Sequence, residues 1–561
     1  MESFEIKSND GFLHLEDLPH NCIFNKVVTG CGGTTVVLQN AEDYVIAVPT
    51  TELIINKTDI TMAGISNISY NGIRPFGLFG RFDDAVERQL KEYLNSSGTK
   101  KIMCTYDKVP RLMEYIQAKD YRILIDEYHS LLKAYSYRQK AIDGVLANFR
   151  AFKSFCFMSA TPILPSFKPN CLEDVKEIQA DWGEEDDDKK LKVELQQTNK
   201  PYTLAANIIN TYQRDGFIVS KEGHKSYEAF FFINSVTDIA AILKHCNLNN
   251  DEVRIICADT PENREKLTGY DICNSRSPNK MFNFITSKSF EGADYHSETG
   301  LCFVVSSASN SHTLASIDTD IPQIAGRIRT KTNPFRYFLV HIFNTTYKKL
   351  ELDLTYEQME AKTNEAIEKA RKTVEFFNSA IDKDVKDNLR VNLKHNLNKF
   401  YMSYDSINDQ FILNDILPKL ELYNYQVNQK IYKNGLSIAK GYEDNGIETD
   451  RADYVKVDDS ISTKKQSFKE AFLQYADLVA HHPHIFALTL LEQQQPLVKA
   501  AYYKLGVERV RNLRYIKKSV EAALSCLDDE KTKEQKLALL IVKLIPSGTT
   551  ITVAKALDKM L

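Results

Sequence analysis

The sequence predicts an α/β protein: two tandem domains on parallel sheets, followed by a mostly α-helical C-terminal region. Three observations predict it. Short, almost continuous apolar runs recur along the first part of the chain, as strands buried on both faces require. Stretches of helical spacing separate them. After Asn344 the runs fade and polar helical patterning takes over.

The first domain, expected over residues 1–195, is read from five runs. KVVTG is a strand entering a Gly-rich turn, and DYVIAVPT, KKIMCTY, YRILIDE and FCFMSAT follow with room for helices between them. The acidic run Glu184–Asp188 reads as a solvated loop near the domain boundary. The second domain, expected over 196–348, repeats the pattern with EAFFFINS, EVRIICAD, KMFNFITS, GLCFVVSS and FRYFLVHIFN, and VTDIAAILKHC is one of its helices. The helical region, expected over 349–561, opens on TYEQMEAKTNEAIEKARKTVEFFNSAI.

At 561 residues the chain has room for several domains and a large core. With 43% hydrophobic and 26% charged residues it is globular in composition, which excludes disordered and fibrous classes. A net charge of −4 argues against a generally basic nucleic-acid coat protein and leaves a local basic groove open. Ten scattered cysteines without a CxxC pair argue against a zinc ribbon or a disulfide framework. No apolar run reaches the length of a membrane span, and the acidic, polar N-terminus is not a secretory signal. The expected location is the cytoplasm.

Five segments carry chemistry. In VVTGCGGTTVVL, residues 27–38, strand, Gly-rich turn and helix form the context of a phosphate-binding loop, where backbone N–H groups hold phosphate oxygens. Gly30, Cys31, Gly32, Gly33, Thr34 and Thr35 make up the loop. An ordinary β–α turn has the same composition. In YRILIDEYHSLL, Asp126 and Glu127 sit at a strand's C-terminal end, where open α/β sheets bind ligands. Asp126 suits Mg²⁺, Glu127 suits activation of a water, and His129 suits a link to the domain interface. In FMSATP, Ser159 and Thr161 can relay contacts, though a strand ending before Pro162 explains them as well. FITSKSFEGADYH places Ser287, Glu291, Gly292 and Asp294 at another strand end. DIPQIAGRIRTK reads as a helix carrying Gln323, Arg327 and Arg329. An Arg offered across a cleft stabilises charge on a transferring phosphate.

The five occur in one order, each at or near the predicted end of an apolar run. Together they resemble the superfamily 2 helicases and translocases of the DExH style. Gly30–Thr34 resemble motif I, Val48-Pro49-Thr50 motif Ia, Asp126-Glu127-Tyr128-His129 motif II and Ser159-Ala160-Thr161 motif III. FFFINS resembles motif IV, Thr286–Asp294 motif V and Gln323–Arg329 motif VI. The compact QIAGRIR is similar to the viral origin-binding-protein branch, for which the location would be a host cytoplasm. The resemblance implies two RecA-like domains with ATP and Mg²⁺ between them, Thr34 and Asp126 holding the metal. It implies a nucleic-acid strand, DNA favoured, gripped through its phosphates with Thr50, Thr105 and Ser287 as contacts. It implies a role in replication or recombination, with replication proteins as partners of the helical region.

Gly33 departs from the pattern, because motif I ordinarily has Lys there. Loss of one such charge costs on the order of 10²–10³ in rate. Either another cation, Lys26 or Lys57, takes its place, or the chain is a helicase-shaped binding protein without turnover. The motif VI spacing also puts Arg329 one place earlier than the longer QxxGRxxR form. No adenine-specifying Q-motif stands out upstream of the loop, and Phe24, which as a ring offers base stacking, reads rather as core.

Farther on, KAAYYKLGVERVRNLRYIKKSV interleaves Lys499, Lys504, Arg509, Arg511, Arg514, Lys517 and Lys518 with Tyr502, Tyr503 and Tyr515. That composition fits single-strand binding, but reads rather as an amphipathic helix with solvated charges and core tyrosines. His481, His482 and His484 read as a solvated turn around Pro483 rather than as metal ligands.

Overall fold

The computed structural model describes residues 2–528 except 7, 9, 184–189, 221, 291, 347–353, 380–382, 394–396, 406–407, 452–453, 458–467, 482–491 and 493–494, and also residue 552. The acidic run 184–188, Glu291, His482 and His484 therefore lie outside the described residues. The chain divides into two compact units, Met1–Ile461 and Ser462–Leu561.

The first unit holds both expected RecA-like sheets. Strands β1 (Glu2–Glu5), β2 (Cys22–Asn25), β3 (Tyr44–Val48), β4 (Gly64–Ile65), β5 (Phe76–Leu78), β6 (Lys101–Thr105), β7 (Arg122–Asp126), β8 (Ser154–Ser159) and β9 (Lys176–Asp181) form one sheet. Its order is β1-β9-β2-β8-β7-β3-β6-β5-β4, parallel except at β4–β5. β3, β6 and β8 are buried at every residue, which is why they read as unbroken apolar runs.

The second sheet takes β10 (Lys192–Gln197), skips a small hairpin of β11 (Ile218–Val219) and β12 (Lys225–Ser226), and continues with β13 (Glu228–Phe232), β14 (Val253–Ile256), β15 (Phe282–Ile285), β16 (Gly300–Ser306) and β17 (Phe338–Phe343). A second hairpin, β18 (Met402–Asp405) and β19 (Gln410–Leu413), precedes β20 (Glu448–Arg451), which joins the sheet's edge. The order is β14-β15-β13-β16-β17-β10-β20, parallel throughout.

Three expectations differ from the structure. Lys26–Gly30 is loop, not strand, because β2 ends at Asn25 and Val27 takes a left-handed φ of 62° that breaks extended pairing. The second sheet starts at Lys192, so residues 192–195 leave the first domain. The region 349–561 is not one body. Its part up to residue 457 binds the sheets: β20 pairs with β10, Tyr423 Oη donates to Asp318, and Tyr432 and Tyr442 close over His341 of β17. Local helical patterning does not report such distant pairings.

The unit Ser462–Leu561 has its own core, in which Phe472, Tyr475, Val498, Val510 and Val520 are buried. In the 499–518 stretch the seven basic side chains are exposed. Tyr502 and Tyr515 pack against that core, and Tyr503 projects outward. Among the described residues no helix is long and apolar enough to cross a membrane, and no cluster of His, Cys, Asp and Glu can hold a metal ion.

Candidate functional site

The loop after β2 turns at Gly30 (φ 71°) and Gly32 (φ 84°), values that favour glycine, and runs into helix α1 (Gly33–Gln39). A Cβ at Gly33 would lie 2.5 Å from Met158 Sδ, so the side chain of β8 fills the space behind that position. Cys31 is buried in the core, its carbonyl accepting from Leu13 N at 2.8 Å. Phe12, half-exposed, places its ring 3.4 Å from a Cβ built at Gly32. Sequence reasoning missed Phe12, whose short segment has no periodic pattern; Phe24 is fully buried as expected.

Thr34 Oγ1 donates to Asp126 Oδ2 at 2.6 Å. β7 ends at Asp126, and Glu127 adopts φ 49°, which turns it across the strand end. Glu127 is the hub of a buried network. Lys26 Nζ donates to its Oε1 at 3.1 Å, and Gln323 Nε2 donates to its Oε2 at 3.1 Å. Ser159 Oγ lies 3.4 Å from that oxygen, and His129 Nδ1 lies 2.8 Å from Ser159 Oγ. Gln323 Nε2 also donates to Thr161 Oγ1 at 3.1 Å. The first sheet's carboxylate, hydroxyls and imidazole thus meet the second sheet's amide.

Charges in this network do not behave alike. Burial raises the Asp126 carboxyl, and Lys26, 4.0 Å away, only partly offsets this. Burial also opposes charge on Glu127, but Lys26, His129 and Arg327 together hold it below the usual carboxylate range. Burial disfavours the Lys26 ammonium, yet Glu127 and Asp126 hold it above the ordinary lysine value.

From the second sheet, the helix Asp320–Ala325 carries Gln323 but stops short of the two arginines, because Gly326 caps it. Residues 327–329 instead pair with Tyr295: Tyr295 N donates to Arg327 O and Arg329 N to Tyr295 O, both at 2.9 Å. The arginines then diverge in role. Arg327 is buried, with Nε on Gln323 O at 2.7 Å, Nη1 on Ala293 O at 3.2 Å and Nη2 on Gln323 Oε1 at 3.3 Å. Among the described residues its hydrogen bonds go to Gln323 and Ala293 alone. Arg329 Nε donates to Asp294 Oδ1 at 2.7 Å, and its guanidinium lies where a Cβ of Gly30 would be. Burial raises the Asp294 carboxyl, but Arg329 and Arg327 draw it below its ordinary value. Gly292 packs on Leu53 and its carbonyl accepts from Asn56 Nδ2.

Helix α2 (Thr51–Thr58) follows β3, with Thr50 as its N-cap residue. Thr50 Oγ1 is buried and has no hydrogen-bond partner among the described residues. Thr105 closes the neighbouring strand, in register with Val48. Ser287 is exposed at the end of β15, its N–H donating to Asn234 Oδ1 at 3.3 Å.

No protein-family model matches the chain, and no curated protein does. Among solved structures, a variant of S. cerevisiae Dbp5 bound to RNA and ADP BeF3 is similar at 12% identity and a TM-score of 0.38, over 58% of this chain and 79% of that one. Mss116p bound to ssRNA and AMP-PNP is similar at 11% identity and a TM-score of 0.37, over 77% of this chain and 89% of that one. The DEAD-box helicase Mss116 bound to ssRNA and UDP-BeF gives 12% and 0.37, over 73% and 83%.

Proposed function

We propose that the chain is an ATP-dependent motor acting on nucleic acid, a helicase or translocase of superfamily 2. One observation carries the reading: Gln323, on the helix beside the second sheet, bonds Glu127 at a strand end of the first, beside a Gly-rich loop whose Thr34 bonds Asp126. A site that spans two sheets changes when the sheets move, so a reaction there can be coupled to motion along a strand.

In this reading ATP lies with its phosphates on Gly30–Thr35. The hydroxyl of Thr34 and the carboxylate of Asp126 fit Mg²⁺, which takes few protein ligands beside phosphates. Mg²⁺ held there would neutralise phosphate charge. Glu127, kept ionised by Lys26, accepts a proton from the attacking water. Gln323 reports the state of Glu127 to the second sheet, and Arg327 holds Gln323 in place. Arg329, lying on the loop, supplies positive charge to the phosphates. His129, Ser159 and Thr161 complete the relay. Asp294 aims Arg329, Gly292 lies two residues before Asp294, and Glu291 is kept as a nucleotide contact on the sequence alone.

Nucleic acid would cross both sheets at Thr50, Thr105 and Ser287, with the orphaned Thr50 hydroxyl offered to a phosphate oxygen. The reading takes DNA as the strand, in replication or recombination, and gives the helical region the recruiting of partners. Gly33 favours a second reading, in which the same surfaces bind without turnover.

The test is ATP hydrolysis by the full chain, with and without single-stranded DNA or RNA, beside Glu127→Gln. Strand-stimulated turnover that the variant loses supports the motor. Strand binding without turnover in either protein supports the second reading.

A further inference from the structure

The cation that position 33 lacks has two possible replacements, and the structure treats them differently. Lys26 is already committed. Its ammonium lies 3.1 Å from Glu127 Oε1 and 4.0 Å from Asp126 Oδ1, and moving it to a phosphate would take from the buried carboxylates their nearest cation. Lys57, in the last turn of α2, is not committed. Among the described residues its only hydrogen-bond partner through the ammonium is Thr35 Oγ1, at 3.4 Å, and no carboxylate lies within 4 Å. An ammonium has three donors. With one long bond to a neutral hydroxyl, and Asp294 and Asp126 acting on it only from beyond ion-pair distance, the ammonium has no anion in contact among the described residues.

Position matters as much as availability. Thr35 is the loop residue next to Thr34, which bonds Asp126. Arg329 lies against Gly30 at the other end of the same loop. Lys57 and Arg329 therefore flank one run of backbone, residues 30–35, and Met158 occupies the space behind Gly33. α2 is held in this place from the second sheet: Asn56 bonds Gly292 O, and Glu52 Oε2 accepts from Ser275 Oγ at 2.7 Å.

We propose that Lys57, delivered from α2, is the phosphate-binding cation of this site, and that Lys26 serves only to hold the two carboxylates. One residue's usual task would then be divided between two lysines. The assignment rests on the reading of the loop as a nucleotide site. It also makes phosphate binding depend on the contacts of α2 with the second sheet.

The experiment is calorimetric titration of the full chain with ADP and with AMP, for wild type, Lys57→Met and Lys57→Arg, together with ATP turnover. Methionine keeps the apolar stem and removes the charge. A cation on the outer phosphates predicts that wild type prefers ADP to AMP. Lys57→Met should lose about tenfold or more of ADP affinity, leave AMP unchanged, and lower turnover by about 10²–10³. Lys57→Arg should keep most of the preference. If Lys57→Met retains the ADP preference, or weakens ADP and AMP together, the assignment is wrong. Wild type that prefers ADP through Lys57 but shows no strand-stimulated turnover would leave the assignment standing and sink the motor. Wild type that binds neither nucleotide would sink both.

Discussion

Gln323 Nε2 and Glu127 Oε2, 196 residues apart in sequence, lie 3.1 Å apart in the fold. The bond joins an amide on the helix Asp320–Ala325, which follows β16 of the second sheet, to a carboxylate just past the end of β7 in the first. It gives the proposed reaction a direct mechanical readout: if Glu127 changes partner, Gln323 loses one.

Replacing Gln323 by Ala should therefore slow turnover more than it unsettles the fold. A hydrogen bond to a charged group contributes about 1.5–3 kcal/mol. Felt in the transition state, that is about 10–100-fold in kcat. Steady-state ATPase with a melting curve checks this. A large fall in Tm with an unchanged kcat per folded molecule would show that the glutamine is only a strut.

Gly30→Ala tests the placement of Arg329. Alanine at φ 71° costs on the order of 1–2 kcal/mol, and its Cβ would occupy the guanidinium's position. An arginine acting on transferring phosphate contributes about 10³–10⁵ in rate. Gly30→Ala and Arg329→Ala should each lose turnover, and the double variant should lose little more than either. Additive losses would separate the two residues.

Lys26→Met should be among the most destabilising single changes around the first sheet. It takes from the buried Glu127 and Asp126 the cation nearest to both, an effect of about 3–5 kcal/mol. Adding Glu127→Gln should restore part of the loss, because the neutral amide no longer needs the ammonium. Chemical denaturation of the single and double variants decides it. A double variant no more stable than Lys26→Met would mean that the pair is not coupled.

Much of this was legible locally. YVIAV, KIMCT and GLCFVVS announce themselves as strands because both faces are buried, and Thr34, Asp126, Glu127 and Gln323 stand in segments whose chemistry is local. What was hidden depends on distance or polarity. β9, β10 and β20, KEIQAD, KVELQQ and ETDR, are too polar to read as strands, and only pairing with neighbours makes them so. Lys26 looked like a spare cation until the fold set it against Glu127, 101 residues away. The two arginines look equivalent in GRIR. Yet the segment's pairing with Tyr295 buries Arg327 on Gln323 and leaves Arg329 on the loop.

The clasp of the later helices on the second sheet should weaken in mild acid. His341 is fully buried between Tyr442 Oη, 2.8 Å from Nδ1, and Tyr432 Oη and Ser306 Oγ, both 3.1 Å from Nε2. Burial pushes its pKa down from 6.5 to about 3. The folded value lies below the unfolded one, so between them the unfolded chain binds the extra proton. The stabilisation is complete above pH 6.5 and falls as the pH drops toward 3, by about 1.4 kcal/mol per unit, or about 2 kcal/mol by pH 5. In His341→Gln the group cannot titrate. That variant should start less stable at pH 7, and its Tm should fall less between pH 7 and pH 5 than wild type's. Parallel declines in the two proteins would show that His341 is not what acid acts on.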